Sequence, residues 1–517
     1  MTTLEDLDEP SRQASFIALQ QRMRPVWDDM RQGHGDESVV VVPSVAVDAT
    51  VASAGMVQAY EERFLFLLLL LRQPMLRMTY VTSMPIKASI IEYYLALLPG
   101  VIPSHALARL TLVSVDDATL RPLTEKLLER PRVVEAIGSG IPNRGRCHLI
   151  AYSTTERERD LALLLGIPVY GSDPRFAAFG TKTGCRRLFA EEGVRHPLGF
   201  EDLTDQEAVV DAVTDALDAE AGITQMIVKL NDGVSGNGNA LVDLRDLGAA
   251  GGDDARRRRV SERVALLELE SPTMTRDDYW GRFARGRGIV EERVTGLELR
   301  SPSVQLRALP DGTVELLSTH DQLLGGPSGQ RYLGCTFPAD PAYARLISEP
   351  AEAIGRRLAR EGVLGRFAVD FVVVRDEAGA WSAHAIELNL RKGGTTHPFL
   401  TLQFLTDGRY DGASGRFLTS TGDEKHLVAT DHLEAPELRA LRVGDLFDVV
   451  ARHGLHFDQS RQVGVVFHMI SCLTELGRVG LTAVGNTPQE AMALYRRAEE
   501  ILLTEAAEAG RAGALPR

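Results

Sequence analysis

The sequence is poor in lysine, which makes each lysine informative. Of the 57 basic residues only six are lysine, which leaves 51 arginines. A coding bias towards arginine explains this ratio, and a lysine that persists under such a bias is expected where a compact ammonium is needed and a planar guanidinium does not fit. The six positions to inspect are Lys87, Lys126, Lys182, Lys229, Lys392 and Lys425.

Cysteines and long apolar runs are also scarce. The four cysteines form no C-x-x-C pair, which excludes a zinc ribbon or a disulfide framework and favours a reducing cytoplasm. The most apolar run, residues 64–71, has eight residues, whereas a membrane span needs about 20. This apolar run therefore predicts a buried helix. With no secretory pattern at the start of the sequence, we expect a cytoplasmic protein without a membrane partner.

The chain has no excess of positive charge. It carries 57 basic against 71 acidic residues, for a net charge of -14, which argues against a nucleic-acid partner. The hydrophobic share of 44% and charged share of 25% are typical of globular proteins and exclude a mainly disordered or collagenous chain. A length of 517 residues predicts roughly three domains.

The first 175 residues alternate apolar, strand-like runs with helical patterns. The runs at 39–43, 77–83, 110–115 and 148–152 have the rhythm of an open α/β domain. No G-x-G-x-x-G follows the first of them, so the dinucleotide-binding fingerprint is missing.

A glycine-rich stretch, residues 231–239, lies between two predicted strands at 226–230 and 240–244. Its simplest interpretation is a hairpin with a turn at Asn237-Gly238. Alternatively, its small residues let backbone N–H groups converge on a phosphate, to which Lys229 adds a charge. The small residues concerned are Gly233, Ser235, Gly236 and Gly238.

A second polar stretch, residues 248–259, combines small residues with four consecutive arginines. This composition predicts a solvated loop. The alternative is a patch that binds an acidic ligand.

The strongest local signal is the set Asp370, Glu387 and Asn389. A turn centred between residues 378 and 379 would place Asp370 opposite Glu387 across an antiparallel pair, where like charges repel. A divalent cation between them removes the conflict, and Asn389 supplies a third oxygen on the same face. The pattern therefore predicts a Mg²⁺ site, against the alternative of an exposed hairpin with polar alternation.

Other residues carry weaker signals. Arg300 and Arg307 could meet an anionic substrate, and His320 precedes a glycine-rich loop, although a lone histidine is more often structural. Cys335 has no obvious base beside it, so a thiol nucleophile is a weak hypothesis.

Taken in order, these motifs resemble the ATP-grasp superfamily. The resemblance runs from about residue 181 to 398 and includes a lysine before a helix, a lysine before a glycine-rich hairpin, a Glu-Glu-x-Val-x-Gly-x-Glu linker, an aspartate strand and Glu-x-Asn. The stretches SMPIKASIIEYYLALLPG, GTKTGCRRLFAEEGV and ELNLRKGGTTHP look more closely like peptide ligases of pheganomycin-type biosynthesis. The sequence departs from the D-alanine ligases, whose Asn-Thr-Ser-Pro-Gly stretch is replaced by residues 389–397.

The resemblance implies roles for individual residues. Lys182 and Lys229 would bind ATP phosphates beneath the 231–239 loop. The linker would hold the nucleotide, with Glu291 and Val294 at the adenine edge and Glu298 at the ribose, and Glu292 is a further cofactor-binding residue. Asp370, Glu387 and Asn389 would bind Mg²⁺, usually two ions, and Arg391 would face the transferred phosphoryl group. We further assign Arg300, Arg307 and His320 to the carboxylate substrate.

The resemblance also implies the fold and the activity. We expect an α/β (α+β) chain with an N-terminal pre-ATP-grasp domain at 1–175, an ATP-grasp domain at 176–400 and a C-terminal domain at 401–517. Within the second, a lid covers about 180–290 and a metal-binding core about 291–400. Its partners would be a small carboxylate and an amino acid or peptide amine, joined at the expense of ATP, and a homodimer is suggested. The alternatives are a biotin-type carboxylase and a non-catalytic nucleotide-binding scaffold.

Overall fold

A computed structural model describes residues 7–32, 37–45, 54–220, 222–232, 236, 238–245, 247, 252–325 and 331–513. Within these ranges no helix has the length and apolar character needed to cross a membrane.

The N-terminal part is an open, parallel α/β layer. Its four strands lie in the order β3-β2-β1-β4. All five residues of β1 are buried, as expected for an inner strand with both faces covered. The helices and strands are α1 (Glu9–Gln20), α2 (Met23–Gln32), β1 (Ser38–Val42), α3 (Ala54–Glu62), β2 (Arg77–Thr82), α4 (Ala88–Ala96), α5 (Pro103–Leu107), β3 (Leu110–Ser114), α6 (Leu123–Leu128), α7 (Pro131–Ser139), β4 (Cys147–Ala151) and α8 (Glu156–Leu165).

The predicted buried helix at 64–71 forms, but as a 3₁₀ helix, Arg63–Arg72, whose apolar side chains are almost all buried. Further 3₁₀ turns lie at Arg144–Arg146, Pro174–Gly180 and Pro436–Ala440.

The next part is a five-stranded antiparallel sheet in the order β5-β9-β6-β7-β8. Helices α10 and α11 pack on each other beside it. The elements are α9 (Lys182–Glu191), β5 (Gly199–Leu203), α10 (Gln206–Ala219), β6 (Gln225–Leu230), β7 (Asn239–Asp243), α11 (Asp253–Ala265), β8 (Glu268–Leu269), α12 (Arg276–Gly286) and β9 (Gly288–Glu292).

The rest of the chain builds a nine-stranded antiparallel sheet. Its strand order is β10-β14-β11-β12-β13-β18-β20-β19, with β15 also paired to β14. The elements are β10 (Glu298–Arg300), β11 (Pro302–Ala308), β12 (Val314–Gly325), β13 (Arg331–Phe337), α13 (Pro341–Glu361), β14 (Gly365–Arg375), β15 (Trp381–Asn389), α14 (Thr396–Thr406), β16 (Arg409–Asp411), β17 (Arg416–Leu418), β18 (His426–Glu434), α15 (Val443–Arg452), β19 (Gly464–His468), α16 (Cys472–Leu476), β20 (Arg478–Gly485) and α17 (Pro488–Gly513).

The largest hydrophobic core joins the two ends of the chain. It includes residues of the N-terminal sheet and the 3₁₀ helix together with residues of β18, β19, β20 and α17. The nine-stranded sheet also crosses residue 400 without a break, because β13 pairs with β18. The largest core and the central sheet therefore cross the predicted boundaries at 175 and 400, whereas smaller cores lie within residues 16–169 and 176–388. The division into three domains remains a prediction.

The prediction of a solvated loop over 248–259 is wrong for the part that contains the arginines, and residues 248–251 lie outside the described residues. Helix α11 begins at Asp253 and contains all four of them. Arg256 forms an ion pair with Asp218, and Arg257 with Glu207 and Asp211, so these arginines attach α11 to α10.

Candidate functional site

The carboxylates predicted to oppose each other do so across the β14–β15 hairpin. Asp370 and Glu387 are direct partners in the antiparallel register. Nearer the turn the register pairs Phe371 with Ala385, and a β-bulge then omits Ile386 before Asp370 meets Glu387. Without the bulge, Asp370 would face Ile386, and Glu387 would lie on the other face of the sheet.

Two neighbours complete this acidic group. The Asn389 amide donates a hydrogen bond to Asp370 Oδ2 at 3.1 Å, which leaves the Asn389 carbonyl oxygen as an acceptor. Ser303 on β11 pairs with Asp370 from the other side. Burial, and then the nearby charge of Glu387, raise the pKa of Asp370 to about 6. The two carboxylates thus repel each other in a partly desolvated site.

Lys182 supplies the nearest positive charge. Its Nζ lies 2.8 Å from Glu387 Oε1, and it is 7% exposed. Burial alone would raise the pKa of Glu387, but Lys182 and then Arg391 lower it. The lysine opens α9, whose N-cap is Thr181: the Gly184 N–H donates to Thr181 Oγ1 at 3.0 Å.

A second buried ion pair lies beside the first. Lys229 on β6 pairs with Glu291 on β9, and Arg186 Nη1 lies 3.0 Å from the other oxygen of that carboxylate. Burial raises the pKa of Glu291, but Lys229 and Arg186 outweigh it, so the pKa is lowered. The Asn231 side chain accepts from the Thr183 N–H at 2.9 Å and so links the loop after β6 to α9.

The strands on either side of the glycine-rich stretch, β6 and β7, pair as an antiparallel hairpin, but their last registered pair, Lys229 with Asn239, does not fit the predicted turn at Asn237-Gly238. Asn237 itself lies outside the described residues. Gly236 has a φ of 80°, a value that favours glycine, and Gly238 accepts a hydrogen bond from the Leu230 N–H at 2.9 Å. Gly233 and Ser235 lie outside the described residues.

The residues of the linker after β9 differ in burial and in their partners. Glu292 is half-buried, and its N–H donates to the Leu198 carbonyl at 2.7 Å, while Val294 is buried. Glu298 on β10 forms ion pairs with Arg300 at 2.5 Å and with Arg375 at 2.7 Å. The adenine and ribose roles of this linker remain predictions.

Arg391 connects the acidic group to the N-terminal part. Its Nη1 donates to the Tyr152 hydroxyl at 2.9 Å, and its guanidinium lies over the Tyr152 ring at 5.6 Å. Tyr152 directly follows β4, and the Lys392 N–H donates to the Tyr152 carbonyl at 3.2 Å. The carboxyl end of β4 therefore borders the site, as is common in open α/β sheets.

Arg307 lies away from the paired carboxylates, whereas His320 stands in the same cross-strand row, because Ser303 pairs with His320 on one side and with Asp370 on the other. Arg307 follows Ser303 by four residues on β11, roughly 13 Å along the strand, and it pairs with Glu315 and stacks on Trp27. His320 is 0% exposed and packs against Phe337 and Phe399, and burial lowers its pKa to about 3. Their assignment to the carboxylate substrate stays a prediction, as does that of Arg300.

Sequence reasoning missed several residues around the site. Lys392 is buried, donates to the Ala151 carbonyl at 2.5 Å, and has its pKa lowered to about 7 by burial and then by Arg366. It belonged to the scarce lysines, which was a usable signal. Arg186 and Tyr152 had none, because their roles depend on contacts with elements distant in the sequence.

The arrangement fits a metal–polyphosphate complex. Two carboxylates and an amide oxygen are the donors that Mg²⁺ prefers, and their mutual repulsion is relieved by a cation. Two buried lysines and Arg391 border the same group and can neutralise phosphate oxygens.

Two known families match parts of the sequence. Residues 175–265 and 270–413 match the family described as IQCH-like, ATP-grasp. Residues 445–498 match the PGM1 C-terminal domain.

Two relatives match most of the chain. The L-propargylglycine–L-glutamate ligase of Streptantibioticus cattleyicolor is 29% identical over 451 residues, which are 86% of this chain and 89% of that protein. The IQ motif-containing protein H of Danio rerio is 22% identical over 446 residues, which are 77% of this chain and 42% of that longer protein.

A solved structure shares the fold. The biotin carboxylase–β,γ-ATP complex from Campylobacter jejuni superimposes with a TM-score of 0.50 at 12% identity, covering 91% of this chain and 95% of that one. At this identity the match speaks for the fold alone.

Proposed function

From the premise that the chain belongs to the ATP-grasp superfamily, we propose that it is an ATP-dependent ligase that joins a carboxylic acid to an amine. The observation that carries the proposal is the pairing of Asp370 with Glu387 beside two buried lysines. Such a site suits phosphoryl transfer, in which the protein positions the reactants and stabilises charge.

The residues of the site have two different roles, metal binding and phosphate binding, according to their chemistry. Asp370, Glu387 and Asn389 would hold Mg²⁺, which we expect as two ions that neutralise phosphate oxygens. Lys182 and Lys229 would bind ATP phosphates as point charges. Their present partners, Glu387 and Glu291, orient both ammonium groups before ATP binds.

The reaction has two steps. An oxygen of the substrate carboxylate attacks the γ-phosphorus in line, the bond from that phosphorus to the β-phosphate oxygen breaks, and ADP leaves. The amine then attacks the acyl carbon, a C–N bond forms, the C–O bond to phosphate breaks, and the amine nitrogen loses a proton. Arg391 would stabilise charge on the transferred group, and exclusion of water protects the acyl phosphate.

The substrate class follows from the relative that joins two amino acids. We propose an amino acid, or an unusual carboxylic acid, as the acyl donor, and an amino acid or peptide as the amine.

A paired-substrate screen tests the proposal. Purified protein with Mg-ATP is incubated with amino acids and short peptides, alone and in pairs, and phosphate release is followed by mass spectrometry of positive wells. We expect a product one water lighter than its two precursors. ATP binding without phosphate release above that of Asp370→Ala would favour the scaffold, and bicarbonate-dependent ATP hydrolysis would favour a carboxylase.

A further inference from the structure

Three buried side chains from separate elements meet at one point. They are His397 on α14, Asp431 on β18 and His468 on β19, each 4% exposed. His468 Nε2 lies 2.7 Å from Asp431 Oδ1, His397 Nε2 lies 3.2 Å from the same oxygen, and the two Nε2 atoms are 3.0 Å apart. We call these residues the His-Asp-His cluster.

The backbone is shaped to admit the cluster. The pairing of β18 with β20 is irregular between Thr430 and Leu433, which is where Asp431 lies. Opposite His468, β20 has Gly480, where an added Cβ would fall 2.1 Å from His468 Nε2. The imidazole thus occupies the space that any other residue at 480 would fill.

Hydrogen bonds alone do not satisfy this geometry. Each edge of the triangle is short enough for a hydrogen bond, yet the edge between the two imidazole nitrogens is favourable only if one donates and the other accepts. If both donate to Asp431, their protons oppose each other. In addition, His397 Nδ1 is buried without a hydrogen-bond partner among the described residues.

The side chains of the cluster are of the kind that binds metals. All three are buried, and the Arg63 guanidinium lies beside the Asp431 carboxylate. A neutral imidazole and an ionised carboxylate are the forms that bind metals.

We propose that the His-Asp-His cluster binds one divalent transition-metal ion of the zinc class, through the two Nε2 atoms and Asp431 Oδ1. Tetrahedral ligand atoms at about 2.1 Å from an ion lie about 3.4 Å apart, so the observed edges of 2.7, 3.0 and 3.2 Å need to widen only by about 0.2 to 0.7 Å when an ion binds. Two imidazoles and one carboxylate favour zinc or a similar ion over Mg²⁺.

The surroundings of Asp431 support this role. Its other oxygen, Oδ2, accepts from Arg63 Nη1 at 2.7 Å, and its backbone carbonyl accepts from Arg478 Nε at 2.6 Å. Such contacts fix the orientation of a metal-binding carboxylate. Because the ligands come from α14, β18 and β19, the ion ties the segment after Asn389 to the C-terminal strands.

Metal analysis tests the proposal independently of ligase turnover. We expect purified full-length protein to contain about one zinc-class ion per chain by inductively coupled plasma mass spectrometry, and at least tenfold less in His397→Gln and His468→Gln. The matched control is His148→Gln, which alters another buried histidine, and Asp370→Ala controls for the predicted Mg²⁺ site. Both should keep the ion. Loss in Asp370→Ala with retention in the two cluster variants would overturn the proposal.

A measurement on the wild-type chain covers the case in which these variants fold poorly. Protein stripped with a chelator and verified as folded by circular dichroism is titrated with Co²⁺ and then with Zn²⁺. We expect Co²⁺ absorption bands that saturate at one equivalent, displacement by Zn²⁺, and a higher melting temperature. A folded, metal-free chain that takes up neither ion and melts unchanged would contradict the site and leave a hydrogen-bonded network.

Discussion

At the residue scale, the lysines follow the expectation raised by their scarcity. Lys87 is exposed, whereas the other five are buried. Each buried ammonium lies against carboxylate, hydroxyl, amide or backbone oxygens, which are contacts that suit a compact point charge. These five are Lys126, Lys182, Lys229, Lys392 and Lys425.

Lys229→Arg should therefore weaken ATP binding although it keeps the charge. The longer planar group cannot occupy the buried position against Glu291 and still present a donor to a phosphate. We expect the Kd for ATP to rise at least tenfold, or about 1.4 kcal/mol, in calorimetric titration. Lys87→Arg is the matched control, and equal affinities of the two variants would contradict this account.

Glu387→Gln should remove turnover while leaving the fold intact. The amide keeps the shape of the side chain but loses the charge that opposes Asp370 and pairs with Lys182. We expect at least about a 100-fold fall in kcat in a phosphate-release assay. Glu377→Gln, the same change in the exposed turn of this hairpin, should retain activity, and parallel losses in both would count against a role for Glu387.

The pairing of Asp370 with Glu387 could be predicted from the sequence, but the β-bulge that produces this pairing could not. Centring the turn between residues 378 and 379 gives the correct pair, although the hairpin near the turn has a register shifted by one residue, and the bulge at Ile386 restores it. A bulge depends on packing against neighbouring strands and has no reliable sequence signal. His320 illustrates a similar limit, because only tertiary packing reveals that it is enclosed by aromatic rings.

At the element scale, α9 positions Lys182 through its N-cap. Thr181→Ala should lower the free energy of unfolding by about 1 kcal/mol, since it removes the acceptor for the Gly184 N–H. It should also raise the KM for ATP, because Lys182 is the first residue of the helix.

Thr487→Ala is the matched control for this prediction. Thr487 directly precedes α17 and accepts from the Glu490 N–H at 3.1 Å, and the preceding strand β20 lies five strands from β14 in the sheet. Urea unfolding should report similar losses for both variants, while initial-rate kinetics should show a raised KM only for Thr181→Ala. A KM that moves equally in both would mean that the effect is one of stability.

Helix α11 shows why a prediction from composition, the loop over 248–259, was wrong. The run of small residues before it suggested a loop, yet the arginines that follow are good helix formers, and their charge is compensated by acidic residues of α10. The pairing partners lie some 40 residues earlier in the chain, so the compensation is not visible in the local pattern.

At the scale of the whole molecule, the two ends of the chain share one core. Strand positions and the open α/β layer could be predicted from apolar periodicity. The continuation of the central sheet through β18, β20 and β19 could not, because strand order depends on long-range pairing.

The buried Lys392 should make the free energy of unfolding of the whole chain depend on pH. Its folded pKa of about 7 lies below the ordinary 10.5, so between these values the unfolded chain binds more protons and the free energy of unfolding rises with pH. Lys392→Met should flatten this rise in urea unfolding across that range. Lys87→Met should follow the wild type, and a wild-type slope in Lys392→Met would contradict the assignment.

The central claim, that the chain makes an amide through an acyl phosphate, is tested most directly by oxygen transfer. The acid identified by the screen is labelled with ¹⁸O in its carboxylate and incubated with Mg-ATP and the amine, and the phosphate is examined by mass spectrometry. We predict one labelled oxygen in each phosphate released, together with ADP and the amide. Unlabelled phosphate, or release of AMP and pyrophosphate, would contradict the account.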